Sequence, residues 1–419
     1  DYQILKNSDG SLVWESLGNT ANKLSINSGD LVESTEYRFR ARHNSTNYGS
    51  SAWVEVIGTT KSQFTQAYGL TWNNTDDMYT RTGITISDFS TDAISVQRLM
   101  RRCVLNVNGT VNYYLSATDS TKREDGITAS DLTGASGNVM VEIPKFYCKY
   151  DDTPGAKNMS ISLIPEAGYV VHPAFVKNGV EVDYRYYRAY KGSVSGGKLI
   201  SRSGVAAAGN ETIVAFRTKA QSNGTGWGLV DWNLLFAVQT LCFIEIGTFN
   251  SQSILGNGND TGSDYGMTTG GSNSIGNASS PSTNDDTWMS YRGIENFYAD
   301  MFEWIDGINI SERLVYTSNT QSTFASDVFT GAYTSTGKTL PSNGYIKDMS
   351  FSIKGFIPTN SVGGSNSTYV TDYVYSFTGA RVAAFGGNAG HGLRCGAAEL
   401  YADGGSSYAS AIIGAGLSF

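Results

Sequence analysis

Four carboxylates lie close together in the second half of the sequence, at Glu295, Asp300, Glu303 and Asp306. Two carboxylates set across a glycosidic bond would make a glycan-cleaving enzyme. The alternative is a network of buried ion pairs that holds the fold together. We favour the structural network, because the group is centred on the Glu303-Trp304 segment, and we keep a polysaccharide-degrading spike as the weaker reading.

The other residues that could do chemistry are few and scattered. The three histidines are His43, His172 and His391, and the four cysteines are Cys103, Cys148, Cys242 and Cys395. No His-Glu-x-x-His or Cys-x-x-Cys pattern supplies zinc ligands, and no Gly-x-Ser-x-Gly elbow marks a serine nucleophile. We therefore predict free, mostly buried thiols and a protein that is not an enzyme and uses no metal or cofactor.

A polar stretch from 247 to 286 contains no lysine or arginine and little periodicity. A stretch of this length is usually an exposed functional loop or a disordered one. Its acidic and amide side chains could suggest calcium, although their spacing is not that of an EF-hand loop. These side chains are Asn257, Asn259, Asp260 and Asp264.

Composition narrows the class of protein. The chain has 419 residues with 48 Gly, 25 Tyr and only 7 Pro, which predicts two or three domains rich in strands and loops. A net charge of -8 provides no broad basic field, so nucleic acid is not an expected partner. No apolar run reaches 18 residues, so we expect no membrane insertion.

The first 60 residues read as a small β-sandwich. In Tyr37 to Arg42 apolar residues alternate with arginines, which is typical of a half-buried strand. Further strands are predicted at Tyr2 to Leu5, Leu12 to Trp14 and Trp53 to Ile57. Residues 61–90 are polar and irregular, and we interpret them as a linker.

The remainder, 91–419, mixes helix and strand signals. Helices are predicted from Thr91 to Cys103 after an Asp92 cap, from the Asn210 cap to Ala220, and from Asp231 to Ile246. Strands are predicted at 104–115 and 139–150, with short β pieces broken by glycines after Val374. The fold class predicted for the whole chain is α+β.

The spacing of Leu31, Thr35 and Tyr37, and the segments Gly49 to Trp53 and Thr59-Thr60, resemble the fibronectin type III family. The resemblance implies a spacer module whose first strands are missing, as in a fragment of a longer polypeptide. An unrelated pair of hairpins is the alternative.

A series of motifs in the larger part occurs in a fixed order. They are Val139 to Tyr147, Gly196 to Gly204, Phe216-Arg217, Gly224 to Trp227, Arg292 to Phe297, Met301 to Gly307, Gly386-Gly387, Cys395-Gly396 and Ile413 to Phe419. This order resembles the C-type-lectin-like domains of formylglycine-generating enzymes and of phage variable adhesins, including the major tropism determinant. Only Cys395 lies near the chain end, which implies the fold without the cysteine-pair oxidation. At Gly416 the sequence departs from the family's usual arginine.

The resemblance implies a C-type-lectin-like domain with short helices and long loops, and exposed side chains between residues 388 and 410 that recognise a target. The candidate receptor-binding residues are Asn388, His391, Arg394, Glu399, Tyr401, Asp403, Ser407 and Tyr408. For the tyrosines, ordinary packing is the alternative. The expected protein is a tail-fibre or tail-tip adhesin, a homotrimer in the virion, with a bacterial surface protein or glycan and other tail proteins as partners. The alternative is a structural fibre or baseplate protein that contacts only virion partners.

Overall fold

The computed structural model describes residues 1–16, 35–45, 47–59, 67–84, 95–280 and 287–419. The chain divides into two compact units. Unit 1 comprises Asp1–Phe64 and Ser87–Ser95, and unit 2 comprises Thr65–Ile86 and Val96–Phe419. Each unit is described separately.

Unit 1 is built on one antiparallel sheet with the strand order β2-β1-β3-β6. Its strands are β1 (Tyr2–Lys6), β2 (Leu12–Ser16), β3 (Glu36–Ala41), β4 (Asn44–Ser45), β5 (Gly49–Ser50) and β6 (Val54–Thr59). The alternation predicted around Tyr37 is confirmed, since Tyr37 is buried and Arg38 pairs with Glu55 at the surface. Leu31 and Thr60 of the fibronectin-like pattern lie outside the described residues.

Unit 2 contains most of the strands. The first half of it holds β7 (Tyr68–Asn73), β8 (Met78–Thr82), β9 (Arg101–Leu105), β10 (Val111–Tyr114), β11 (Asn138–Pro144), β12 (Tyr147–Asp151), β13 (Lys157–Ser162), β14 (Val170–Val171), β15 (Val176–Lys177), β16 (Val180–Glu181), β17 (Tyr184–Arg188), β18 (Ser193–Ser195), β19 (Lys198–Ile200) and β20 (Gly228–Leu229). The second half holds β21 (Ser290–Tyr291), β22 (Ile294–Glu295), β23 (Phe302–Ser311), β24 (Leu314–Thr317), β25 (Thr334–Thr339), β26 (Gly344–Tyr345), β27 (Asp348–Ser352), β28 (Gly355–Asn360), β29 (Tyr373–Ser376), β30 (Ala380–Phe385), β31 (Leu400–Ala402), β32 (Ile413–Ala415) and β33 (Leu417–Ser418).

Three larger sheets organise these strands. A five-stranded sheet has the order β14-β12-β13-β7-β8, and a six-stranded sheet has the order β10-β9-β11-β17-β33-β20. The eight-stranded sheet follows β25-β24-β23-β30-β31-β29-β26, with β32 added in parallel to β23. The long buried strand β23 is therefore the centre of the largest sheet.

The helices of unit 2 are short, apart from one. They are α1 (Val96–Leu99), α2 (Ile213–Gln221), α3 (Trp232–Ile246) and α4 (Ser251–Leu255). Asp231 caps α3 by accepting a hydrogen bond from the amide of Leu234, and Gly247 ends it with a φ of 73°. Nearly every side chain of α3 is buried, as its apolar sequence requires. The prediction of this helix is confirmed.

The predicted α+β class, with a small sandwich followed by a C-type-lectin-like domain, is wrong. Strands make up 39% of the structure and helices only 12%. In the described part of unit 1 a four-stranded sheet and the two-stranded pair β4–β5 stand where two packed sheets were expected. Hydrophobic period identifies a strand locally but does not fix which strands pair or how sheets stack, and this is where the prediction failed.

Three local predictions also need correction. Residues 67–84, expected in a linker, supply β7 and β8 to the five-stranded sheet. The helix expected from Thr91 to Cys103 is described only from residue 95 onward. There it covers Val96–Leu99, because Arg101–Leu105 pairs instead with β11. The cap of α2 is Thr212, which accepts a hydrogen bond from Ala215, rather than Asn210.

The stretch 247–280 is not an exposed loop. Phe249, Ser251 and Leu255 are buried, and the Ser251 hydroxyl accepts a hydrogen bond from the amide of Ala397. Hydrogen bonds to buried polar side chains replace the apolar periodicity that the sequence lacks here. Within the described residues, no helix is long and apolar enough to cross a membrane.

His172 shows how tightly the core of unit 2 is packed, and it gives a pH prediction. Its ring lies 4.9 Å from Phe146 and 4.6 Å from Phe236, and its Nε2 has no hydrogen-bond partner. Burial lowers the pKa of His172 from 6.5 to about 3. On acidification the unfolded chain therefore binds a proton at His172 that the folded chain does not bind. The part of the free energy of unfolding that depends on neutral His172 is fully present above pH 6.5 and is lost as the pH falls towards 3.

We expect the His172→Phe variant to lose less stability than the native chain on acidification. Between pH 6.5 and 5 the free energy of unfolding of the native chain should fall by about 2 kcal/mol more than that of His172→Phe, at about 1.4 kcal/mol per pH unit. Urea unfolding at each pH measures this difference. His43→Gln, at an exposed histidine of unit 1, is the control and should follow the native curve. Parallel curves for the native chain and His172→Phe would refute the assignment.

Candidate binding surface

Four tyrosines share one face of the eight-stranded sheet because of its strand register. Tyr345 on β26 pairs with Tyr373 on β29. Tyr375, two residues further along β29, pairs with Tyr401 on β31. Side chains two residues apart on a strand, and those of directly paired residues, point to the same side of a sheet. The register therefore aligns the four rings across three strands.

A fifth ring, that of Tyr408, extends the row. Successive ring centroids are 5.2 Å apart from Tyr345 to Tyr373 and 4.6 Å from Tyr373 to Tyr375. They are 5.7 Å apart from Tyr375 to Tyr401 and 6.5 Å from Tyr401 to Tyr408. We call these five residues the tyrosine ladder. Four of them are half-buried and Tyr408 is exposed, so the ladder offers partly solvated aromatic surface.

The inner side of the tyrosine ladder packs against the buried core of unit 2. The ring of Phe302, which is fully buried at the start of β23, lies 4.9 Å from Tyr401 and 5.0 Å from His391. At the outer end, Gly404 leaves room for Tyr408, since a Cβ there would lie 3.1 Å from Tyr408 Cδ1 and 3.3 Å from Trp304. The rings are thus held by packing, which fixes their positions before any ligand binds.

Arg394 lies beside the middle of the ladder. Its Nη1 donates a hydrogen bond to the Tyr375 hydroxyl at 3.0 Å, and its guanidinium lies 5.1 Å from the centroid of the Tyr373 ring. The hydrogen bond to Tyr375 is the main cause that raises the pKa of Arg394. The arginine is exposed. Its guanidinium is oriented by aromatic neighbours and forms no ion pair with the described residues.

His391, which is half-buried, and Glu399, which is fully buried, form a pair beside the ladder. His391 Nδ1 lies 2.9 Å from Glu399 Oε1, and the His391 ring is 5.2 Å from that of Tyr375. Burial lowers the pKa of His391 to about 4 and raises the pKa of Glu399 well above its usual value. Both shifts favour the neutral form of the side chain.

The segment after Tyr401 is held at its base. The carbonyl of Asp403 accepts a hydrogen bond from Arg381 Nη1 at 2.9 Å, and the Ser406 hydroxyl donates one to Asp327. Ser407 and Tyr408 are exposed at the tip. The segment is a loop with anchored ends, which is a common setting for a binding residue.

The structure brings together most of the residues proposed for recognition, but two of them are not exposed. His391, Arg394, Tyr401 and Tyr408 belong to the surface just described, with Asp403 and Ser407 beside it. The expectation that Asn388 and Glu399 are exposed is wrong, since only 2% and 0% of their surfaces reach solvent. Asn388 accepts a hydrogen bond from the amide of Gly390 through its side chain, and its carbonyl accepts one from Cys395.

Sequence reasoning missed Tyr345, Tyr373 and Tyr375. A signal was present in the alternation Tyr373-Val374-Tyr375-Ser376, where Val374 and Ser376 are buried and both tyrosines are half-buried. Such an alternation marks a strand with a tyrosine-bearing face. The pairing of that strand with β26 and β31 was not visible in the sequence.

The four clustered carboxylates are buried and bound by the fold. Glu303 pairs with Arg188, and Asp306 makes a two-pronged contact with Arg217. Glu295 accepts hydrogen bonds from Gly270 and Ser272, and Asp300 accepts them from Asn259, Gly266 and Met267. Each carboxylate has its own donors and none faces another across an open cleft. The geometry is that of a structural network.

The described residues do not assemble a metal centre. In the ranges that the structure describes, no group of three or more His, Cys, Asp or Glu side chains could hold an ion. Asn259, one of the residues considered for calcium, instead donates hydrogen bonds to the carbonyl of Asp264 and to the Asp300 side chain. The four cysteines are free and buried, as predicted.

Comparison with known proteins gives only distant matches. The chain matches no protein family and no curated protein sequence. Among solved structures it is similar to two variants of one protein, the Major Tropism Determinant P3c variant and the U1 variant. Each is 14% identical, and the match covers 99% of this chain and 93% of the other. The TM-scores are 0.26 and 0.25.

Proposed function

We propose that this chain is a receptor-binding protein of a bacterial virus, carried on the tail fibre or tail tip, and that the tyrosine ladder contacts a bacterial surface receptor. The single observation that carries the proposal is the ladder itself. Tyrosine provides a large, rigid contact area with a polar hydroxyl and loses little conformational entropy on binding. Five such rings in one row, with an unpaired arginine beside them, suit recognition better than ordinary packing does.

The ordered motifs from Val139 to Phe419, rather than the distant structural matches, support a protein of a bacterial virus. The proposal includes no covalent step. What supports this is that the acidic residues nearest one another, Glu295, Asp300, Glu303 and Asp306, are engaged in holding strands and loops together.

We also propose that the protein acts as a homotrimer alongside other tail proteins. Three linked copies would present three ladders to one cell surface. Once the first ladder is bound, the others meet their receptors at a high effective concentration, so modest single-site affinity is enough for attachment.

The proposal is tested by binding of the fluorescently labelled full chain to a panel of bacterial strains, followed by competition with whole virus for adsorption. We expect binding to at least one strain and blocking of adsorption there. The double variant Tyr345→Ser with Tyr408→Ser removes both ends of the ladder without touching Phe302. It should lower apparent affinity at least tenfold, since loss of a tyrosine that acts as a binding hot spot costs more than about 1 kcal/mol.

The matched control is Tyr184→Ser, because Tyr184 is also an exposed tyrosine at a strand end, 47% exposed, and lies in the six-stranded sheet. It should bind as the native chain does. If the folded chain binds no strain and blocks no adsorption, the adhesin role fails and a purely structural role in the virion takes its place. Equal loss in the Tyr184 variant would show that the ladder is not the contact surface.

A further inference from the structure

Among the features that could bind a ligand, Arg394 combines an exposed guanidinium without an ion pair in the described residues with a row of aromatic rings beside it. Arg313, in the same sheet, donates to the Ser342 hydroxyl and has no such row of rings, and two further arginines there have carbonyl or carboxylate partners. Arg381 donates to the carbonyls of Thr378 and Asp403, and Arg217 pairs with Asp306. Arg394 donates instead to a neutral phenol, that of Tyr375. In the described residues no carboxylate oxygen lies within 4.0 Å of it.

The carboxyl of Glu399 does not pair with Arg394. Glu399 is fully buried, and burial raises its pKa well above the usual value. Glu399 Oε1 lies 2.9 Å from His391 Nδ1 and makes no ion pair with the guanidinium among the described residues. Asp403, further along, turns its backbone carbonyl to Arg381.

The guanidinium of Arg394 is held in one orientation by its aromatic neighbours. It is held over the Tyr373 ring and bonded to Tyr375 through one nitrogen, Nη1. The planar fork of an arginine matches the two oxygens of a carboxylate, and a fork already oriented by aromatic stacking loses less entropy when it binds one. A carboxylate is therefore a suitable ligand at this point.

The tyrosine rings on either side of Arg394 restrict which kind of ligand can present a carboxylate to it. Their centroids are 4.6 to 6.5 Å apart over five rings, a spacing of the same order as that of successive pyranose rings in a polysaccharide. The apolar C–H face of a sugar packs on an aromatic face, and the tyrosine hydroxyls can exchange hydrogen bonds with sugar hydroxyls. An extended acidic chain thus meets alternating stacking and polar contacts.

We propose that the tyrosine ladder binds a carboxylate-bearing bacterial polysaccharide, with Arg394 pairing with the carboxylate of one sugar while its neighbours stack on the rings. This inference rests on the proposed receptor-binding function and names the class of receptor. The net charge of -8 for the whole chain disfavours non-specific attraction of a polyanion. Binding is therefore local to Arg394 and its aromatic neighbours.

The test uses a strain that binds the labelled full chain. Cells are treated either with periodate, which cleaves sugar diols, or with a broad protease, and binding is measured again. We expect loss after periodate and persistence after protease. Polygalacturonate should compete for the ladder, whereas its methyl-esterified form, which has the same backbone without the charge, should compete at least tenfold less well.

The variants Arg394→Gln and Arg394→Lys separate charge from geometry. Arg394→Gln should lower affinity for polygalacturonate at least tenfold, and Arg394→Lys should fall between it and the native chain because the charge remains and the fork is lost. Both substitutions are at an exposed position, and the urea midpoint checks folding.

Two results would overturn the proposal while leaving a receptor-binding role intact. One is loss of cell binding after protease with none after periodate, which indicates a protein receptor. The other is unchanged cell binding by Arg394→Gln. Failure of the native chain to bind any strain would instead remove the proposed function itself, so the two failures are distinguishable.

Discussion

Replacement of Glu303 by alanine is expected to lower the free energy of unfolding of unit 2 by about 3 to 5 kcal/mol, the usual cost of leaving a buried partner charge uncompensated. Arg188 is fully buried and donates to Glu303 through Nε at 2.5 Å. Its other nitrogens donate to the carbonyls of Glu295 and Asn296. Without Glu303, the guanidinium stays inside the protein with no anion in contact.

The pair also joins two sheets, which adds to the expected loss. Arg188 ends β17 in the six-stranded sheet, and Glu303 lies on β23 in the eight-stranded sheet. Lys191, itself buried, has its Nζ 4.0 Å from the same carboxylate. Burial lowers the pKa of Lys191 to about 8, and loss of Glu303 should lower it further.

Urea unfolding followed by tryptophan fluorescence measures the effect, since Trp304 is adjacent to the substituted residue. The control is Glu181→Ala, which breaks a surface pair with Lys145 and should cost no more than about 1 kcal/mol. The double variant Arg188→Met with Glu303→Leu should be more stable than the sum of the two single changes predicts, because both charges leave together. Strict additivity would show that the two side chains do not act as a pair.

The sequence predicted individual elements better than their assembly. Asp231 to Ile246 was recognisable because a cap residue precedes an apolar run of helical length and a glycine follows it. The strands at Asn138–Pro144 and Tyr147–Asp151 were likewise visible from β-branched and aromatic residues. Helix caps and the spacing of apolar residues depend only on residues that are close in the sequence, so they can be recognised without the structure.

What could not be predicted depends on partners distant in the chain. Cys103 continues the helical spacing of the apolar residues before it, yet Arg101–Leu105 forms a strand because β11 offers it hydrogen bonds. The stretch 247–280 has no apolar pattern and is fixed by contacts such as that between Ser251 and Ala397, 146 residues apart. Tertiary context overrides local preference at both places.

The residues of the candidate binding surface also divide into those that the sequence indicates and those that depend on distant strand pairing. Tyr401, Tyr408, Arg394 and His391 were selected because they lie between glycines near the chain end, and the structure places them on one surface. Tyr345 was missed because it is far from these residues in the chain and reaches the ladder through pairing with Tyr373. Nothing in the sequence shows that the carboxyl of Glu399 points inward, towards Gly387 and His391.

Substitution of Gly416 is the second change with a large expected effect, because this glycine lies where the chain passes from one sheet to another. The preceding strand, β32, pairs with β23, and the following strand, β33, pairs with β17. A Cβ at Gly416 would lie less than 3.0 Å from Glu303 Oε1 and 2.8 Å from Arg188 Cδ. The Arg188–Glu303 pair therefore occupies the space that a side chain would need.

We expect Gly416→Ala to cost about 3 kcal/mol, at the upper end of the usual cost of overpacking, since the atoms it meets are buried and hydrogen-bonded and cannot move aside. Gly416→Arg should prevent unit 2 from folding, because it would add a second buried guanidinium next to Arg188.

Gly405→Ala is the matched control, because the nearest atom to a Cβ there is the carbonyl oxygen of Ala380 at 4.0 Å. It lies in the same closing segment and should change stability by less than about 0.5 kcal/mol. Soluble yield and the urea midpoint of the three variants provide the comparison. A stable, soluble Gly416→Arg protein would mean that Arg188 and Glu303 do not fill this space, and the expected cost of the Glu303 substitution would fall with it.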